Sequence, residues 1–313
     1  MKRKVIQIAE STQLISLPRK WCLANNIKKG DELNVDPTGS KLTVSCDEKP
    51  QIERAEVDLK EYGILASRQI HALYKRGIDE IKVNYSPEDI GTIQKILSNE
   101  TVGFEIIEQG KNYCIIKNVS GHLEGFDSVL RRAFLLLLNM ADDCVKALEQ
   151  KSHDMFRNLI LLEQSNNRFT TICRRYLNKH GHDAYDKIGP IYYIIEDVEN
   201  VADEYKYLCQ ILGKIKPEKL KIDKIYVQIY QDIAVMMRLF QEAFYKRDNS
   251  KLVKIAEMRK VVVDQCHTQL EKTKTPAEFV LIHHALVILQ KIFNQIGPYF
   301  VIAQSHLSHE QHQ

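Results

Sequence analysis

Glu196, Glu199 and Asp203 are the side chains whose type and spacing best suit chemistry. Separations of three and four place them on one face of a helix, each about a turn from the next. Carboxylate oxygens grouped in this way can hold a hard or intermediate cation such as Mg, Mn, Ca or iron. Asp142 and Asp143, on an earlier stretch, could add further oxygens. The same acids also suit a solvated face, because they lie away from the centre of the apolar stripe. A second set concerns nucleic acid. Over residues 1–45, Lys2, Arg3, Lys4, Arg19, Lys20, Lys28, Lys29 and Lys41 oppose only Glu10, Asp31, Glu32 and Asp36, which leaves +4 where the whole chain carries +3. Such a concentration on a small module is the electrostatic footprint of DNA binding, and on charge alone it also suits an ordinary surface.

Other chemistries find no support. The chain has no Gly-x-Gly-x-x-Gly, Walker loop, Gly-x-Ser-x-Gly or His-Glu-x-x-His, and no nucleophile–base constellation, so an enzyme is not expected. Seven scattered cysteines without a Cys-x-x-Cys pair exclude a zinc ribbon or disulfide scaffold and predict reduced thiols in a cytoplasmic protein. No stretch reads as a membrane span or a secretory signal. His306, His309 and His312 form a polar tail, His283-His284 one buried-edge and one exposed histidine, and Arg131-Arg132 a helix-surface pair.

The elements that must position these residues follow from pattern. With 13 Gly and 8 Pro in 313 residues, breakers are few and long helices are favoured. At the N-terminus, strands over 4–8, 12–17, 32–35 and 41–46 and a short helix opened by Pro18 are expected, with Asp36-Pro37-Thr38-Gly39 as a turn. So small a module needs a second copy to build a core. The polar segment 47–50 marks a boundary. The next stretch predicts a small α/β domain, with strands at 52–57 and 80–84, helices over 60–75 and after Ser86-Pro87-Glu88-Asp89, and a hairpin over 103–116. Six long helices then run over 122–150, 153–180, 184–212, 220–247, 250–273 and 276–305. An offset of 91 residues lays Ile194, Ile195, Val198, Val201, Ala202 and Tyr205 on Ala285, Leu286, Leu289, Ile292, Phe293 and Ile296, apolar on apolar. The same offset puts Gln290 opposite Glu199 and Asn294 opposite Asp203, so any metal belongs in the first half.

Two resemblances refine this reading. Arg3-Lys4-Val5, Leu14-Ile15-Ser16-Leu17-Pro18-Arg19-Lys20-Trp21 and Lys29-Gly30-Asp31-Glu32-Leu33 resemble the AbrB/MazE/SpoVT family. That resemblance implies a swapped-hairpin β-barrel dimer that binds DNA, with Arg3, Lys4, Arg19 and Lys20 as contacts. The segment Ile195-Glu196-Asp197-Val198-Glu199-Asn200-Val201-Ala202-Asp203 resembles the acidic motif of the PhoU family. PhoU proteins are tandem three-helix bundles with metal clusters, which implies a divalent or iron ion on Glu196, Glu199, Asp203 and Asp143. The ordered combination looks like the archaeal PhoU-like regulators.

The expected fold is therefore multidomain and mainly α: a swapped-hairpin β-barrel over 1–48, a small α/β domain over 51–120, and tandem three-helix bundles over 121–313. Two functions from different classes remain. One is a dimeric DNA-binding regulator of phosphate uptake that senses through the bundles. The other is an interaction protein that docks on a phosphate-transporter ATPase or a signalling protein and uses the first module only to dimerise; Glu10 and the modest +4 suit this second reading.

Overall fold

The computed structural model describes residues 2–8, 11–38, 41–46, 52–120, 125–182 and 187–304. The chain divides into two compact units, Met1–Ile52 and Glu53–Gln313. Ala9, Glu10 and the histidines at 306, 309 and 312 lie outside the described residues.

The first unit holds β1 (Val5–Ile8), β2 (Thr12–Ile15), α1 (Arg19–Ala24), β3 (Asn34–Thr38) and β4 (Lys41–Ser45). β1 pairs antiparallel with β2 and β3 with β4, as separate two-stranded sheets, and a single copy closes no barrel among its described residues. The turn expected at Asp36-Pro37-Thr38-Gly39 begins later: Asp36, Pro37 and Thr38 all belong to β3, and Thr38 pairs with Lys41. Pro37 pairs with Leu42, next to that closing pair. Val5 faces Ile15 and Ile6 faces Leu14 across the first hairpin, so both of its faces are apolar. Those residues and Val35 and Leu42 remain exposed, Val5 by 62% and Leu42 by 57%.

The second unit begins with a four-stranded sheet of order β5-β6-β8-β7, from β5 (Arg54–Asp58), β6 (Glu80–Asn84), β7 (Phe104–Gln109) and β8 (Tyr113–Asn118). β5 and β6 are parallel and the other pairs antiparallel. Parallel neighbours need a crossover, which α2 (Ala66–Arg76) supplies. The helix expected from residue 60 starts only at 66, because Gly63 takes a left-handed φ of +51° at the start of the second of two 3-10 turns. Ser86 and Asp89 form a capping box ahead of α3 (Ile90–Asn99). Ile70, Tyr74, Ile81, Val83, Ile93 and Ile116 fill the core between helices and sheet.

Among the described residues seven α-helices follow: α4 (Phe126–Gln150), α5 (His153–His180), α6 (Ile188–Leu212), α7 (Lys224–Lys246), α8 (Asn249–Leu270), α9 (Pro276–Asn294) and the short α10 (Ile296–Gln304). Two turns show the internal repeat. Lys151, left-handed at φ 53°, precedes Ser152, which caps α5 by accepting from the Met155 N–H. Arg247, left-handed at φ 54°, precedes Asp248, which caps α8 by accepting from the Ser250 N–H. Each pair reverses the chain between the first and second helix of its half. The halves share one core, with α4 packed on α7 and α6 on α9. The segment Pro276–Ala303 is, by length and composition, apolar enough to cross a membrane, which differs from the expectation above. In the fold it is α9 followed by α10, and α9 packs into the core with Leu281, Ala285, Ile288, Leu289 and Ile292 buried.

Candidate functional site

The acidic face of α6 meets a polar stripe on α5. Glu163, Asn166, Asn167, Thr170 and Arg174 recur at three and four along α5, so they share a side of that helix. Arg174 is 1% exposed at its side chain, and its two terminal nitrogens reach Glu196 and Glu199. The Thr170 hydroxyl donates to Glu199 Oε2 at 2.6 Å. One turn further along α6, Lys206 bridges Asp203 and the buried Glu163, 2.7 Å from the latter. Asn167 Nδ2 donates to the same Glu163 oxygen at 2.6 Å. Burial pushes the Glu163 carboxyl above its ordinary range, and the nearby Asp203 adds to this while Lys206 opposes it. Burial also works against the Lys206 ammonium, but its two carboxylates outweigh that and its pKa is raised.

This arrangement decides how the expected metal ligands stand. Glu196, Glu199 and Asp203 do share a face of α6. Their oxygens are met by Arg174 and Lys206, cations belonging to the chain, where a metal ion would need access to them. Asp143 lies apart: it pairs with Lys146 at 2.9 Å on α4. Asp142 binds Arg238 of α7 with both oxygens, at 2.8 and 3.0 Å. Among the described residues, no three His, Cys, Asp or Glu side chains are grouped to hold a metal. The residues as placed fit an ion-pair network rather than a metal ion. In the second half Gln290 donates to Asn294 at 2.6 Å and accepts from Arg259 at 2.8 Å, so a cationic side chain again attends the motif.

Sequence reasoning missed Thr170, Arg174, Glu163 and Lys206. A signal was present in α5, where polar residues recur at helical spacing on a face that a three-helix bundle must bury. The neighbouring Arg175 has a separate task. It turns towards the α/β part of the same unit and donates to the carbonyls of Tyr74 at 2.8 Å and Ile78 at 2.7 Å, and to Asp79 at 2.8 Å. Its guanidinium also lies 4.8 Å from the Tyr74 ring centre. Lys179 joins it on Asp79, and Asn178 donates to the Lys75 carbonyl at 2.8 Å. Two further contacts tie α6 to α9: His284 with Glu204 at 2.6 Å, and Lys291 with the buried Asp197 at 3.3 Å. His283, by contrast, is exposed and stacked on Phe279.

In the first unit, Arg3, Lys4, Arg19 and Lys20 are exposed, and among the described residues none has a hydrogen-bond or ion-pair partner. Arg19 and Lys20 open α1, a helix with no buried residue. The four cations thus present charge without internal neutralisation, beside hairpins whose apolar residues are uncovered.

No family model matches the chain, and no curated protein matches it significantly. Among solved structures it is similar to the phosphate transport system regulatory protein PhoU from Streptococcus pneumoniae, at 15% identity and a TM-score of 0.47, over 58% of this chain and 94% of that one.

Proposed function

We propose that the protein is a non-enzymatic, dimeric DNA-binding regulator of phosphate uptake, acting in the cytosol. The observation that carries this reading is the first unit: four exposed cationic side chains without partners among the described residues, alongside hairpins whose apolar faces are uncovered in one copy. Exposed side chains such as Val5, Ile6, Leu14 and Ile15 on both faces of a hairpin call for cover on both sides. A second copy of the same module would supply it with closed two-fold symmetry, and would double the basic surface offered to DNA. The link to phosphate uptake rests on the resemblance of the α6 acidic segment to the PhoU motif. The helical half is the sensing and partner-binding part, and a phosphate-transporter ATPase is a candidate partner.

A gel-shift assay against promoters of phosphate-transport genes, with salt titrated, tests the DNA-binding claim. Each phosphate neutralised adds about −0.9 to the log–log salt slope. Arg19→Ala/Lys20→Ala is expected to weaken binding and flatten that slope. A double variant that binds as tightly as the parent, with the same slope, removes these residues from the interface. A parent that binds the transporter ATPase but no DNA leaves the first unit a role in dimerisation alone.

A further inference from the structure

Where the α/β part meets the helical bundle there is an open cleft of about 530 Å³, lined by the exposed Glu53, Ala72, Arg76 and Asn178 and the half-buried Lys75 and Tyr192. Its size lies within the usual range of small-molecule sites, roughly 300–1,000 Å³. Two of its walls come from α2, and Asn178 and Tyr192 come from α5 and α6. Among the described residues, neither Lys75 nor Arg76 has a hydrogen bond or ion pair at its charged end. Of the cations around them, Arg174 is paired with Glu196 and Glu199, and Arg175 and Lys179 with Asp79, while Arg68 adds a further positive charge near Lys75. Lys75 is half-buried; burial and the nearby Arg174 disfavour its charged form, and Glu100 and Glu196 only partly compensate. A half-buried ammonium with no carboxylate in direct contact is an unfavourable arrangement that a bound anion relieves.

We propose that this cleft binds a nucleoside phosphate. Lys75 and Arg76 meet the phosphate, with the charge-assisted hydrogen bonds that such groups favour. The half-buried Tyr192 ring offers a planar face for the base. Glu53 and the free amide oxygen of Asn178 accept from amino or hydroxyl groups, since the Asn178 amide nitrogen is already engaged. The cleft exceeds what a single inorganic anion fills, and its lining is mixed rather than purely basic. Tyr192 lies one turn before Glu196, and Asn178 one turn after Arg174, so a ligand here sits against the ion-paired face of α6 and ties it to α2.

Calorimetric titration of the full-length protein with ATP, AMP, adenosine and orthophosphate is the test. At least one nucleotide is expected to bind, with adenosine and orthophosphate at least tenfold weaker. Lys75→Gln/Arg76→Gln is expected to lower nucleotide affinity tenfold or more, and Tyr192→Leu to lower it as well, with both variants folded by circular dichroism. Arg19→Ala/Lys20→Ala is expected to bind nucleotide like the parent. No nucleotide binding at millimolar concentration, undiminished binding by the Lys75/Arg76 variant, or orthophosphate binding as tight as nucleotide overturns the proposal. So does loss of binding in the Arg19/Lys20 variant, which would place the ligand on the first unit. DNA is absent from every arm, so failure here is separate from failure of DNA binding.

Discussion

Arg174 illustrates what a buried charge demands of its neighbours. It is almost wholly enclosed, and two carboxylates and two threonine hydroxyls surround its terminal nitrogens. Removing one partner of a buried pair strands the other, at a typical cost of about 3–5 kcal/mol. Arg174→Ala is expected to lose stability on that order, read as a lower urea midpoint with an unchanged slope. Glu199→Gln should cost less, because Glu196 still pairs with Arg174 and the amide oxygen still accepts from Thr170. A pH effect belongs to the same scale. Glu163 and Asp197 both have carboxyl pKa values raised chiefly by burial, from ordinary values of 4.5 and 3.8. The folded chain therefore holds protons that the unfolded chain releases, so these two groups lower stability as pH rises above those values. Glu163→Gln/Asp197→Asn should make stability less sensitive to pH from about 4 upward, measured by urea melts across that range. The α6 carboxylates were legible in the sequence because separations of three and four put them on one face of one helix. Arg174 was not legible as their partner, because nothing local says which side of α5 faces α6; Lys206 stands three residues after Asp203 on α6 itself, and only its reach to Glu163 on α5 was hidden.

At the scale of elements, boundaries were legible wherever capping chemistry is local. Thr275-Pro276-Ala277-Glu278 opens α9: the Thr275 hydroxyl accepts from the Glu278 N–H at 3.3 Å, and Glu278 accepts from the Thr275 N–H at 2.9 Å. Thr275→Ala should cost about 1 kcal/mol, the usual value of an N-cap, in thermal or urea melts. Gly77 ends α2 for two reasons. Its φ of +107° suits glycine, and an added Cβ would lie 3.0 Å from Lys179 Cβ on α5. Gly77→Ala should therefore loosen the α2–α5 packing as well as strain the turn, which native-state hydrogen exchange of both helices would report. The start of the first helix of the α/β part was misread because the left-handed Gly63 looks, in sequence, like an ordinary helical interruption. The start of the β3–β4 turn was misread because Asp-Pro-Thr-Gly satisfies turn rules and also fits the end of a strand.

For the whole molecule, the apolar surface of the first unit makes a concrete claim about assembly. Light scattering of the full chain should give a dimer, and deletion of residues 1–52 a monomer that still melts cooperatively, because Glu53–Gln313 has its own cores. A dimer that persists after the deletion would move the interface to the second unit. The β content and basic character of the first unit were legible in 45 residues, whereas its missing core is visible only when burial is measured. The consecutive arginines of α5 carry a further consequence. Adjacent residues on a helix point about 100° apart, so Arg174 and Arg175 fasten one rod to two different bodies: the α6 carboxylates on one side, and the carbonyls of Tyr74 and Ile78 on the other. A twist of α5 about its axis that eases one fastening pulls on the other. α5 then behaves as a torsion bar, and any event that shifts α6 by a fraction of a turn is felt as torque at the start of β6, inside the β-sheet.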